Sequence, residues 1–176
     1  MSQLKAIVFD MDGLMVDSEP LSQQAWDVYL RPYGHHLNEE IVSQIIGLRA
    51  DLSTPYIKDL FNLPEDVTTI ISKRAAIYSQ IRANGVPVMP GLMELHAEIG
   101  RRDIPWAVAT SSPRAHAEEI LHQLGLHDRC RAIAAGSEVT HGKPHPEIYQ
   151  LAAARLGILP EHCLALEDSG TGSLAA

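Results

Sequence analysis

The mostly apolar run Leu4-Lys5-Ala6-Ile7-Val8-Phe9 leads straight into two aspartates one residue apart, Asp10-Met11-Asp12-Gly13. A short β-branched run of this kind reads as a strand buried on both faces. Such a strand belongs to an open α/β sheet, where ligand sites form at the carboxyl ends of the strands. Two carboxylates so close repel one another. They coexist only with a cation nearby or with unequal protonation, which is the condition that acid–base and nucleophilic chemistry exploit.

Three further strand-like runs follow: Pro105–Ala109, Arg131–Ala135 and Cys163–Leu166. Helical patterns alternate with them over Leu92–Arg102, Pro113–Leu124 and Pro146–Leu156. The last two open on proline and stop at Gly125 and Gly157, the asymmetry expected of helix ends. Strand and helix in strict alternation predict a parallel, Rossmann-like sheet with right-handed crossovers. Between the first strand and the rest lies a stretch with no strand pattern. It reads as helices over Leu21–Tyr33, Glu39–Ile46, Leu52–Phe61 and Glu65–Ala83, closed by the Gly- and Pro-rich segment Asn84–Gly91. The expected division is a core of residues 1–16 and 86–176 and a helical cap of residues 17–85, hinged by two linkers. The last residues, Gly170–Ala176, read as the opening turn of a helix.

Composition narrows the function classes. The net charge is -8 and there is no Lys/Arg run, so nucleic-acid and anionic-membrane partners are disfavoured. An anionic substrate would need a local positive site. No run reaches membrane-spanning length or has the layout of a signal peptide, which points to a cytoplasmic protein. Cys130 and Cys163 are not in a CxxC pair and read as buried free thiols. Trp26 and Trp106 read as packing residues, and His141 and His145 as part of a solvated loop.

Four polar clusters fall at the predicted carboxyl ends of the strands: Asp10 with Asp12; Thr110-Ser111-Ser112; Gly142-Lys143-Pro144; and Glu167-Asp168-Ser169. Each alone is weak, a turn or a helix cap. Together and in this order, the sequence resembles the haloacid-dehalogenase-like hydrolase superfamily. It is most similar to the branch of β-phosphoglucomutase and the sugar-phosphate phosphatases. Asp17-Ser18-Glu19 and Gly47-Leu48-Arg49 also resemble that branch.

The resemblance implies a role for each residue. Asp10 would be the nucleophile, forming an aspartyl-phosphate, and Asp12 the general acid and base. Thr110 would hydrogen-bond a phosphoryl oxygen, with Ser111 beside it on the substrate, and Lys143 would neutralise charge. Mg2+ would be held by Asp10, the backbone carbonyl of Asp12 and Asp168, with Glu167 close by. Arg49 would contact the substrate from the cap. The implied activity is Mg2+-dependent hydrolysis of a small phosphorylated sugar or polyol. Two alternatives stay open. One is a phosphomutase of the β-phosphoglucomutase type, although the cap histidine of that family aligns with Ser22 here. The other follows from a further strand and helix that the resemblance implies after Ala176. A chain lacking them would expose Cys163–Leu166 as a sheet edge and be an inactive fragment, a monomer or a homodimer through that edge.

Overall fold

The computed structural model describes residues 4–176. These fall into two compact units, residues 4–17 with 87–176, and Ser18–Val86. No helix among the described residues is long and apolar enough to cross a membrane.

The first unit is built on four parallel strands, β1 (Ala6–Phe9), β2 (Trp106–Thr110), β3 (Ala132–Ala135) and β4 (Cys163–Leu166), in the order β3-β2-β1-β4. The chain steps outward from β1 to β2 and β3, then returns to lay β4 on the other side of β1. That reversal creates a switch point at the carboxyl ends of β1 and β4, where an open α/β sheet forms its ligand crevice. β1 and β2 are buried along their whole length. β4 is the half-buried edge strand, with Leu164 exposed.

The second unit supplies α1 (Glu19–Leu30), α2 (Glu39–Ile45), α3 (Ala50–Leu60) and α4 (Val67–Ile81). The helix ends differ from the sequence reading for local reasons. α1 begins two residues early because Pro20 sits in its first turn, where a missing N–H costs nothing. α4 begins late because Asp66 is its cap, accepting from Thr69 N at 2.9 Å. Asn38 caps α2 in the same way. Trp26, Tyr29, Leu30, Leu37, Ile57, Leu63 and Ile70 form this unit's own buried core. The Arg74 guanidinium lies 4.7 Å from the Trp26 ring and donates to Ser22 Oγ at 2.5 Å.

The remaining helices return to the first unit: α5 (Leu92–Arg101), α6 (Arg114–Gln123), α7 (Glu147–Leu156) and α8 (Gly170–Ala175). Alternation along the strands sends Phe9 and Trp106 to one face, where His96 of α5 stacks on Phe9 at 4.9 Å. Val8, Ala107, Ala109 and Ala134 face the other way and pack with Ile148, Tyr149 and Ala152 of α7. The alanines let α7 lie close to β2 and β3. Glu138 accepts from Arg114, Arg155 and the Ala135 N–H, fastening α6 and α7 to the end of β3. Trp26 and Trp106 are core residues as expected. Cys130 and Cys163 are free but only half-buried, not fully buried as the sequence suggested. Cys163 opens β4, and Cys130 lies two residues before β3.

Candidate active site

The carboxyl ends of β1, β2 and β4 converge with the loop before α7. Asp10 follows β1, and its N–H donates to Leu166 O at 2.9 Å, locking it to the end of β4. Lys143 reaches in from the loop. Its ammonium, almost fully buried, donates to Asp10 Oδ1 at 2.5 Å and also to Glu167 Oε1. Tyr149 of α7 donates to the same Glu167 oxygen at 2.8 Å, with the Lys143 ammonium 5.2 Å from its ring centre. The other Glu167 oxygen accepts from Asp168 N, Ser169 N and Ser169 Oγ. Glu167 therefore takes five protein donors and acts as the post that holds Lys143.

Asp12 stands on the β2 side. Its Oδ2 accepts from Ser112 Oγ at 2.8 Å and Thr110 Oγ1 at 3.3 Å, and His116 Nε2 lies 3.6 Å from Oδ1. Thr110 Oγ1 also accepts from Ser112 N at 3.0 Å. The turn after β1 is tight: Gly13 has φ +86° and its N–H donates to Val16 O at 2.8 Å. A Cβ at Gly13 would sit 2.0 Å from Asp168 Oδ2, so only glycine lets Asp168 approach this turn. Likewise, a Cβ at Gly136 would lie 2.2 Å from the Ser111 carbonyl oxygen.

The electrostatics are unbalanced. Asp10, Glu167 and Asp168 each offer a carboxylate oxygen, all within 4.8 Å of one another, against the single ammonium of Lys143. Burial pushes Asp10 up to about 8, opposed by Lys143 and reinforced by Glu167. Burial, then the Glu167 charge, also raises Asp168. Burial alone would lower Lys143, but Asp10 and Glu167 more than offset it and hold it above the ordinary lysine value. With all three acids ionised the cluster lacks two positive charges. A hard divalent cation with oxygen ligands, such as Mg2+, fits that deficit and that donor set. Nothing among the described residues donates to Asp10 Oδ2, whereas Glu167 is already saturated. The Asp12 carboxylate faces Thr110, Ser112 and His116.

Asp10, Asp12, Thr110, Lys143, Glu167 and Asp168 are thus in one neighbourhood, as the sequence predicted. Ser111 adjoins Thr110, and the next residue, Ser112, is the serine that donates to Asp12. Arg49 belongs to the other unit, where it precedes α3 and pairs with Asp51 at 2.5 Å. Sequence reasoning placed Ser112 at the strand end without giving it a role, and missed His116 and Tyr149. Ser112 carried the signal of a helix cap, yet α6 has no side-chain cap.

The family model of haloacid dehalogenase-like hydrolases matches residues 4–176. Hexitol phosphatase B of Escherichia coli (strain K12) is 32% identical, over 99% of this chain and 79% of that protein. The phosphorylated carbohydrates phosphatase of Thermotoga maritima is 29% identical, over 98% and 80%. Among solved structures, CbbY from Rhodobacter sphaeroides in complex with xylulose-(1,5)bisphosphate superposes with a TM-score of 0.85 at 27% identity, over 98% of this chain and 81% of that one. β-Phosphoglucomutase from Clostridium difficile gives 0.87 at 23% identity, over 98% and 80%, a likeness of fold. With its whole described length matched and its acids, lysine and hydroxyls gathered at the switch point, the chain belongs to the haloacid dehalogenase-like hydrolases.

Proposed function

We propose that the chain is a Mg2+-dependent phosphatase that hydrolyses a small sugar or polyol phosphate through an aspartyl-phosphate on Asp10. The observation that carries this reading is Asp10 itself: a buried carboxylate tied to Lys143, with its second oxygen free. Asp10 attacks phosphorus in line as the bond to the leaving alcohol breaks, and Asp12 gives that alcohol its proton. Water then attacks the phosphorus of the aspartyl-phosphate, Asp12 recovers the proton, and Asp10 is regenerated. Thr110 and Ser112 fix the rotamer of Asp12, and Lys143 offsets charge on the transferring group. A divalent cation held by Asp10, Asp168 and the Asp12 carbonyl would screen the repulsion between carboxylate and phosphate. Ser111 and Arg49 would meet the substrate, and the unit Ser18–Val86 would set its choice.

The names of the hexitol and carbohydrate phosphatases support the substrate class. A phosphomutase is disfavoured because Ser22 offers no imidazole and its hydroxyl is held by Arg74. The test is phosphate release from a panel of sugar and polyol phosphates with and without Mg2+. Release from at least one member, dependent on Mg2+, is expected; no release from any member would overturn the proposal.

A further inference from the structure

A second cluster of ligating side chains lies outside the machinery described above. His141 and His145 flank the loop that carries Lys143, and Glu147 opens α7 just beyond. The two imidazole rings lie 4.7 Å apart, centre to centre. His141 Nδ1 is 3.1 Å from Glu147 Oε2, and His145 Nδ1 is 3.9 Å from the same oxygen. One ligand atom from each of the three falls within 4.8 Å of the others.

These separations have a chemical meaning. Zinc holds nitrogen and oxygen ligands at about 2.0–2.2 Å in a tetrahedron, so neighbouring ligand atoms stand about 3.3 Å apart. The two distances measured to Glu147 Oε2 bracket that edge length. The backbone around the cluster is already set. Glu147 Oε1 accepts from Thr140 N and Oε2 from His141 N, both at 2.9 Å, and His145 N donates to Gly142 O at 3.0 Å. Three donors within seven residues, on a segment fixed by its own hydrogen bonds, leave little chain to order when an ion arrives. Glu147 N also donates to His145 Nδ1 at 3.3 Å, a long contact that an ion would displace. The imidazoles are exposed, which keeps an entry path and an open position for water.

We propose that His141, His145 and Glu147 form a binding site for a borderline transition-metal ion such as Zn2+, distinct in place and chemistry from the oxygen cluster of Asp10, Glu167 and Asp168. Ligand softness sorts the ions: two imidazoles suit Zn2+, Ni2+ or Cu2+, while carboxylate and carbonyl oxygens suit Mg2+. The site stands two residues from Lys143 on either side, so its occupancy would brace the loop that delivers that ammonium.

The experiment is calorimetric titration of the full chain with Zn2+ in excess Mg2+, for the wild type and for His145→Ala, His141→Ala and Asp168→Asn. A single Zn2+ is expected to bind the wild type. Either histidine variant should weaken it at least about ten-fold, since even an outer-shell partner is worth that much. Asp168→Asn should leave that event unchanged. Electron paramagnetic resonance of the Cu2+ form should show coupling to imidazole nitrogen that is reduced in His145→Ala. Zinc affinity untouched by both histidine variants, or removed by Asp168→Asn, would overturn the proposal.

Discussion

Replacing Lys143 by methionine tests the site's electrostatics most searchingly. The substitution keeps the length of the side chain and removes its charge. It leaves two nearly buried carboxylates, Asp10 and Glu167, facing each other with no ammonium between them. Deleting one partner of a buried ion pair costs about 3–5 kcal/mol, and both partners of Lys143 are buried here. The cost must also depend on pH. Asp10 already keeps its proton up to about pH 8 in the wild type, so between pH 5 and 8 the change falls on Glu167. Burial would raise Glu167, but Lys143 holds it below the usual carboxylate range. Without Lys143 it keeps its proton to higher pH, so the variant's native form binds more protons than the wild type's. Its relative stability therefore falls as pH rises, by about 1.4 kcal/mol per pH unit for each extra proton. We expect a loss of about 3–5 kcal/mol at pH 8, shrinking to about 1 kcal/mol near pH 5, where protonation relieves the repulsion. Urea unfolding followed by Trp106 fluorescence in a Trp26→Phe background reads the unit that contains Lys143. Equal losses at both pH values, or a loss below about 1 kcal/mol at pH 8, would refute the argument. Turnover should fall by about 10²–10³, as for removal of one group that stabilises transition-state charge.

Three further outcomes follow from particular contacts. Gly13→Ala should cost more than Gly125→Ala: both have positive φ, worth about 1–2 kcal/mol, but only at Gly13 does the new Cβ meet a side chain, Asp168. Calorimetry should then show weaker Mg2+ binding in the first variant alone. His96 is pushed down to about 4, first by burial and then by Arg129, so the native state needs it neutral. Stability is intact above about pH 6.5 and falls by about 3 kcal/mol as the pH drops to about 4, a slope that His96→Phe should flatten in denaturant titrations. Ile57→Ala, at a fully buried site of the helical unit, should cost about 2–5 kcal/mol in an unfolding curve followed at Trp26.

The parallel sheet was legible because each strand is a short apolar run followed by a helical pattern, and each polar cluster stands directly after a strand. Local composition was enough to place Asp10, Thr110 and Glu167 at one edge once the strands were taken as parallel. The shared-face partners were not legible. Ser112 bonds Asp12 across 100 positions, and Tyr149 reaches Glu167 from the buried face of α7; nothing local to either residue encodes the partner. Glu167 shows the same limit. Its oxygens accept from Lys143 and Tyr149, 24 and 18 positions away, besides the backbone after β4. Helix starts shifted by one or two residues where one side chain or ring decides the first turn, Asp66 in α4 and Pro20 in α1. The half-burial of Cys130 and Cys163 depends on how the sheet's ends are covered, which hydrophobicity alone does not specify.

The account stands on Asp10 as the atom that takes phosphorus from the substrate. The direct measurement is Mg2+-dependent phosphate release by Asp10→Asn beside the wild type, on whichever sugar or polyol phosphate the wild type hydrolyses best, with folding checked by circular dichroism. The account predicts that the folded variant still binds the substrate and releases no phosphate above background. A folded Asp10→Asn protein that turns over at a rate comparable to the wild type would contradict it.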